Sequence, residues 1–382
     1  MKSLVINAGS SSIKFQEFED EEVLISGIFE EIGNSNSKLK IKFNGKKEEI
    51  DSVFENHKDA LMKLIEVLKE KNLFEGLDKV IHRVVHGGEK FKDVTLVDAK
   101  VVSELKELVP LAPLHNPANI QGIEVMMELL PGVKQIAIFD TAFHSTLPES
   151  AYLYGVPYKW YKEYHVRRYG FHGSSHKYVI GEAVKYVCKE NSKIISCHLG
   201  NGASICAAFD GKSVDTSMGM TPLEGNLMGT RSGSIDPGII SYIKTQTGMN
   251  CEEITKILNK ESGLKGLSEL TSDMRPLEEN METCEKSRRA MGVYLQRLTR
   301  LVGAHLAVLG GVDAIVFTGG AGEKSAVIRK HIASKLAFLG IELDEAKNNK
   351  NDFEITTSES KVKFLVIPTN EELQMVRDAK NI

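Results

Sequence analysis

Apolar residues in this chain come in short runs broken by Gly, Ser, Asn and Asp, with helical stripes between them. Ser3 to Ile6 reads as a strand, Asn7-Ala8-Gly9-Ser10-Ser11-Ser12 as a turn, and Ile13 to Phe18 as the returning strand of a hairpin. The figure repeats in Lys193 to His198, the turn Leu199-Gly200-Asn201-Gly202-Ala203-Ser204, and Ile205 to Phe209 ahead of Asp210-Gly211. Aligning Ser12-Ile13 with Ser204-Ile205 separates the two figures by 192 positions, about half of the 382 residues. Leu61, Leu64, Ile65 and Leu68 make a helical stripe before a strand, Val80 to Val85, that ends at Gly87-Gly88. In the second half, a helix over Met291 to Val308 leads to Ala314-Ile315-Val316-Phe317 and then Gly319-Gly320. Gln135 to Phe139 ends at Asp140-Thr141, and Lys363 to Ile367 ends at Pro368-Thr369-Asn370-Glu371. Each half therefore predicts a hairpin sheet followed by helices alternating with strands, with polar residues where the strands end. That is a duplicated α/β pattern, and it places the expected active site beyond the carboxyl ends of the strands, in a cleft between the halves. The Lys-, Asn- and Glu-rich stretch around Leu39-Lys40-Ile41-Lys42-Phe43 predicts an exposed hairpin.

Composition narrows the field. With 42% hydrophobic and 26% charged residues the chain reads as a soluble globular protein, and its length suggests two or three domains. A net charge of -4 argues against a nucleic-acid partner, which would call for a basic face. No run approaches the roughly 18 apolar residues of a membrane helix, and the N-terminus lacks the form of a signal peptide. Five Cys without C-x-x-C spacing point to reduced thiols and a cytoplasmic location.

The first turn carries three hydroxyls and a Gly, with Lys14 just beyond, a set of donors that suits a polyphosphate as well as it suits a plain surface hairpin. Arg83 stands among apolar strand residues in Val80-Ile81-His82-Arg83-Val84-Val85, where it must meet either a buried carboxylate or an anionic ligand. Arg231 lies in Met228-Gly229-Thr230-Arg231-Ser232-Gly233, and two Arg facing one cleft could clamp a phosphoryl group in transfer. The His pairs 172/176 and 82/86 have i,i+4 spacing but lack the Glu of H-E-x-x-H, so a structural or donor role is the safer reading. Asp140 and Glu371 follow strands; each is a helix or turn cap or a carboxylate that serves Mg²⁺. Phe317 to Glu323 has the strand, Gly loop, helix layout of a nucleotide site.

Together these blocks resemble the acetate kinase family, within the superfamily of acetate and sugar kinases, heat-shock-70 proteins and actin. The resemblance runs from Val5-Ile6-Asn7-Ala8-Gly9-Ser10-Ser11-Ser12-Ile13-Lys14 to Pro368-Thr369-Asn370-Glu371-Glu372. Between them lie His82-Arg83-Val84-Val85-His86-Gly87-Gly88, Phe139 to His144, Tyr169 to His176, His198 to Gly202 and Met220 to Gly225. It implies a duplicated ribonuclease H-like, actin-like ATPase fold, with an N-terminal lobe over 1–146 completed by 372–382 and a nucleotide-binding lobe over 147–371. The implied reaction is ATP + acetate ⇌ ADP + acetyl phosphate, with Mg²⁺ (or Mn²⁺ in its place), in a cytoplasmic homodimer that feeds acetyl-CoA biosynthesis. By motif, Asn7 and Glu371 would serve the metal. Lys14, Ser10, Ser12 and the turn His198, Leu199, Gly200, Asn201 and Gly202 would serve the nucleotide phosphates. Asp273, Met274 and Arg275, with Gly320, Ala321, Gly322, Glu323 and Lys324, would take the adenosine side. Arg83 and Arg231 would bind the acyl phosphate, His172 and His115 would steady the transition state, and Asp140 is the family's acid/base residue. Val85, Leu114, Phe171 and Pro222 would hold the methyl group.

The chain departs from the family pattern at Ala321 and Lys324, where a β-branched residue and Asn are expected, and at Asn226 and Ser234, where an apolar residue and Asp are more usual. A carboxylate is already ionised at pH 7, so the acceptor needs no general base. On that ground Asp140 is expected to orient an Arg or metal-bound water. The nearest rival is a kinase for propionate or butyrate, and the modest size of Val85 favours the two shorter acids. A nucleotide-driven binding module would have no use for paired Arg, and a sugar kinase or phosphatase would want Asp140 as a base.

Overall fold

In the computed structural model, which describes residues 1–382, the turn at 7–12 joins β1 (Lys2–Ala8) to β2 (Ile13–Glu19) in an antiparallel pair whose register sets Asn7 opposite Lys14. The chain divides into two units, residues 1–143 with 370–382, and residues 144–369.

The first unit is built on an eight-stranded sheet. β3 (Glu22–Glu30), β4 (Lys38–Phe43) and β5 (Lys46–Asp51) continue the antiparallel meander, while β6 (Leu77–Val84) and β8 (Lys134–Phe139) run parallel to β1. The short β7 (Thr95–Leu96) closes the edge, giving the order β5-β4-β3-β2-β1-β6-β8-β7. Helix His57–Glu70 starts where Asn56 accepts the Asp59 N–H, and its Leu61, Leu64 and Leu68 are fully buried against Leu4, Ile6 and Phe15. Truncating one such Leu to Ala costs about 2–5 kcal/mol. The opposite face of the sheet packs Val5, Ile81 and Ile138 against Met375 and Val376 of helix Glu371–Asp378. The hairpin β4–β5 is only half exposed: Leu39 and Ile41 alternate inward and are buried in the helix-side core, so the period of two overrides the charged composition around them.

The second unit repeats the scheme with five strands. β9 (Lys193–Leu199), β10 (Ala203–Phe209) and β11 (Lys212–Thr216) form a meander, and β12 (Ala314–Thr318) and β13 (Lys363–Val366) run parallel with β9. The order β11-β10-β9-β12-β13 is that of β3-β2-β1-β6-β8, so the duplication read from two turns extends to the sheet topology. β12 passes straight into a helix at Gly319 with no intervening loop. Gly319 has φ +76° and a side chain there would stand 2.9 Å from the Leu199 carbonyl oxygen, which is why the Gly-rich segment can turn so tightly. No helix is long and apolar enough to cross a membrane.

Candidate active site

Strand alternation explains the polar cluster in the first unit. Ile81 and Arg83 share a face with Val5, and Arg83 is level with Ile138, so Asp140 returns to the same face two residues later. Asp140 accepts the Arg83 Nε–H at 2.8 Å and an Nη2–H at 2.7 Å. The Arg83 side chain is 22% exposed and that of Asp140 4%. Burial alone would lower the guanidinium's pKa, but the charge of Asp140 and its hydrogen bonds outweigh this and raise it. Of the two partners open for Arg83, the structure contains the buried carboxylate, and Nη1 is not used by it.

Asn370 caps the last helix by accepting the Leu373 N–H at 3.1 Å, so Glu371 is its first residue and no part of a capping box. Glu372 pairs with Lys14. Burial pushes the Glu371 carboxyl up from its ordinary pKa; Arg83 and Lys14 oppose this while Asp140 and Glu372 add to it. Three carboxylates thus share two cations, with half-buried Asn7 on the same strand face as Val5. Of the remaining predicted residues here, Ser10 is exposed and Ser12 half-buried on a turn closed by Gly9 N–H to Ser12 O at 2.8 Å. The Val85 N–H donates to Asn119 Oδ1 at 3.0 Å, Leu114 is 64% exposed, and half-buried His115 precedes helix Asn116–Leu129.

In the second unit, Ser196 and His198 lie on one face of β9, and the register with β10 adds Ser204 opposite His198. Helix Gly173–Val187 sets His172, Ser175 and His176 against that face. Ser175 Oγ and His198 Nδ1 are 2.7 Å apart, His172 Nδ1 and Ser204 Oγ 2.8 Å, and the rings of His172 and His198 stack at 4.2 Å. A Cβ on Gly202 would lie 3.3 Å from Arg231 Nη1 and 3.3 Å from His172 Nε2, so these two donors converge on the β9–β10 turn. Arg231 donates to the Pro222 carbonyl oxygen at 3.1 Å and has no carboxylate partner; burial lowers its pKa. A half-buried guanidinium satisfied only in part by a carbonyl is suited to receive an anion. Phe171 is buried, and its carbonyl oxygen lies 3.0 Å from His144 Nε2.

A cavity of about 780 Å³ opens in this unit. Predicted residues Gly200, Asn201, Asp273, Met274, Arg275, Gly320, Ala321 and Lys324 line it. His198, Leu199, Gly202, Gly322 and Glu323 do not. Leu199 is fully buried, and the Gly322 carbonyl oxygen accepts from Arg329 at 2.8 Å. Glu323 Oε1 fastens the N–H of Gly319 at 3.0 Å and of Thr369 at 3.4 Å. Sequence reading missed Ser272, Glu278, Tyr294 and Ser325 in the wall, which come from loops and helix positions without a local motif, and Gly229 joins them from the Arg231 loop. It also missed Ser196, a polar residue on a predicted strand, and Ser204, which it placed in the turn although β10 begins at Ala203.

A duplicated hairpin-plus-parallel sheet with a nucleotide-sized cavity, a carboxylate-anchored Arg and a second Arg that approaches the same glycine as a His defines a phosphotransferase of the actin-like ATPase fold. Residues 2–377 match the acetokinase family, and the chain belongs to it. An acetate kinase from Thermotoga maritima is 49% identical across all of this chain and 98% of its own length, and one from Halothermothrix orenii is 47% identical across 100% and 99%. Among solved structures, a propionate kinase from Francisella tularensis superposes with a TM-score of 0.95 at 40% identity, covering 100% of this chain and 99% of that one. An acetate kinase from Porphyromonas gingivalis gives 0.94 at 40% identity with the same coverage.

Proposed function

We propose that the chain transfers a phosphoryl group reversibly between ATP and acetate, giving ADP and acetyl phosphate, by direct in-line displacement. The observation that carries the reading is Arg231, half-buried without a carboxylate and approaching Gly202 as His172 does. The acid attacks as a carboxylate, so no proton has to be removed, and the difficulty is the approach of an anion to a polyphosphate. Arg231 and the His172 N–H supply positive charge and a donor to the phosphoryl oxygens, with His115 in the same role. Arg83 takes the acid through the guanidinium face that Asp140 leaves open. Asp140 is a positioning residue, since both its oxygens already hold Arg83. Lys14, Ser10 and Ser12 are assigned to the nucleotide phosphates together with the turn at His198, Leu199, Gly200, Asn201 and Gly202. The cavity residues Asp273 to Arg275 and Gly320 to Lys324 are assigned to adenosine. Val85, Leu114, Phe171 and Pro222 are assigned to the methyl group.

A magnesium ion belongs to this reading. No three His, Cys, Asp or Glu side chains form a ready metal cage. Mg²⁺ is commonly held by one or two carboxylates plus substrate phosphates, and an acidic excess around Glu371 fits that mode. Glu371 and Asn7 would hold it, where it would neutralise phosphate charge. A cytoplasmic homodimer supplying acetyl phosphate for acetyl-CoA synthesis completes the proposal. The dimer is supported by exposed Tyr158, Trp160 and Tyr164 on one helix and by Ile239 and Tyr242 on another.

The test is an acyl-phosphate trap: protein, ATP, Mg²⁺ and one acid, quenched into hydroxylamine and read as hydroxamate. Strong signal with acetate supports the reading, and ADP release without hydroxamate, indifferent to the acid, overturns it. The Francisella structure keeps a propionate reading as the second one, and the acetate-to-propionate hydroxamate ratio decides between them.

A further inference from the structure

The buried polar row behind His172 has a direction. Ser196, His176 and Ser204 are each fully buried. The hydroxyl of Ser196 has one partner, His176 Nδ1 at 2.6 Å. Had Nδ1 carried the proton, the Ser196 O–H would be left in the interior with no acceptor, an arrangement proteins avoid. Ser196 therefore donates to Nδ1. Burial, reinforced by His144, His198 and His305, keeps His176 neutral, so its one ring proton sits on Nε2. That N–H donates to Ser204 Oγ at 2.7 Å. The single proton of Ser204 is then directed to His172 Nδ1 at 2.8 Å. A neutral His172 ring that accepts at Nδ1 carries its proton on Nε2, the atom that, like Arg231 Nη1, approaches Gly202. Run in the opposite sense, the row would put the proton on Nδ1 and turn a bare lone pair toward the phosphoryl group.

We propose that Ser196, His176 and Ser204 form a hydrogen-bond relay that holds His172 in its Nε2–H form, so that it donates to the phosphoryl group during transfer. The three are positioning residues, and the inference rests on the reading of His172 given above. The other groups against these rings are Arg231 at the Gly202 turn, His198 stacked on His172, and His144 set edge-on to His176 at 5.6 Å.

The relay is tested on full-length protein carrying ¹⁵N in the histidine rings, with long-range ¹H–¹⁵N spectra at pH 7.5 and His172→Asn to identify the signal. The expected wild-type state is a protonated Nε2 and a bare Nδ1. Ser204→Ala should release the ring into a mixture of both tautomers and lower kcat about 10- to 100-fold, the scale of losing an orienting partner. The KM values for ATP and acetate should stay within about twofold, because the ring acts on the group in flight. Ser204→Thr, which keeps the hydroxyl, should restore both readouts, and Ser196→Ala should produce a weaker version of the same loss. Wild-type His172 found as the Nδ1–H form or as imidazolium overturns the relay, as does a Ser204→Ala spectrum identical to wild type. A tautomer that shifts with no change in kcat supports the relay and overturns the role of His172 in transfer.

Discussion

Asp140 holds Arg83 by Nε and Nη2 at once, at 2.8 and 2.7 Å, from the same face of two neighbouring parallel strands. The pair is fixed by register: Arg83 opposes Ile138, and the carboxylate follows two residues on. Such a fork leaves the guanidinium little rotational freedom and keeps its remaining edge aimed one way. It also removes Asp140 from the pool of bases.

Asp140→Asn keeps the shape and loses the charge. The expected result is a fall of about 10²- to 10³-fold in kcat/KM for acetate, the range for breaking a buried charge pair, with the Mg²⁺ half-saturation unchanged. Steady-state rates across acetate and Mg²⁺ titrations decide it. A shifted Mg²⁺ requirement with the acetate KM intact would mean that the carboxylate serves the metal instead.

Gly202 leaves room for two donors. A methyl group there would sit 3.3 Å from both Arg231 and His172, tight enough that one of them must move. Gly202→Ala should lower kcat by at least about tenfold, because small misplacement of positioned groups is costly in transfer reactions. Gly181→Ala, on helix Gly173–Val187 with open space around the new methyl, is the matched control and should leave kcat alone while raising Tm slightly.

Much of this arrangement was legible beforehand because it depends on local pattern. The paired turns at 7–12 and 199–204, the strands before Asp140 and Glu371, and Arg83 misplaced among Ile81 and Val84 are visible within ten residues of sequence. What was not legible depends on register between distant segments. Nothing near Arg83 says that its partner lies 57 residues away, and nothing near Ser196 says that it faces His176. The hairpin around Leu39 was misread because its charges outnumber its inward residues, although two of them suffice to seal the core.

Arg329 is a buried guanidinium with neutral acceptors only: Asn348 Oδ1 and the carbonyl oxygens of Asn348 and Gly322, each at 2.8 Å, and Asn351 Oδ1 at 2.6 Å. Burial lowers its pKa to about 10, with Glu278 pulling the other way. It ties the Gly319–Lys324 helix, which forms part of the cavity wall, to helix Glu345–Lys350. Lys cannot reproduce a planar four-bond set. Arg329→Lys should cost about 2–4 kcal/mol in unfolding free energy and raise the KM for ATP more than that for acetate. Urea unfolding and the two KM values check it; a KM for ATP equal to wild type would detach Arg329 from the nucleotide wall.

Glu17 lies in β2 opposite Leu4, fully buried, with neither carboxyl oxygen hydrogen-bonded. Burial pushes its pKa from 4.5 up to about 7, Lys2 opposing and Glu19 adding slightly. The folded state therefore binds a proton that the unfolded state gives up, and the sign follows: stability is highest when this group is neutral in both states, near or below pH 4.5, and declines as pH rises toward 7. Above that the penalty is constant, at about 3–4 kcal/mol. Gln cannot ionise, so Glu17→Gln should remove the decline. The difference in unfolding free energy between variant and wild type, read from urea titrations at pH 5, 6, 7 and 8, should grow in favour of Gln up to pH 7 and then level off. Any fixed cost of burying the amide shifts the whole curve without changing its slope. A difference that stays flat across the range would mean that Glu17 is ionised equally in both states, and that Lys2 compensates it more fully than its distance from hydrogen-bond contact implies.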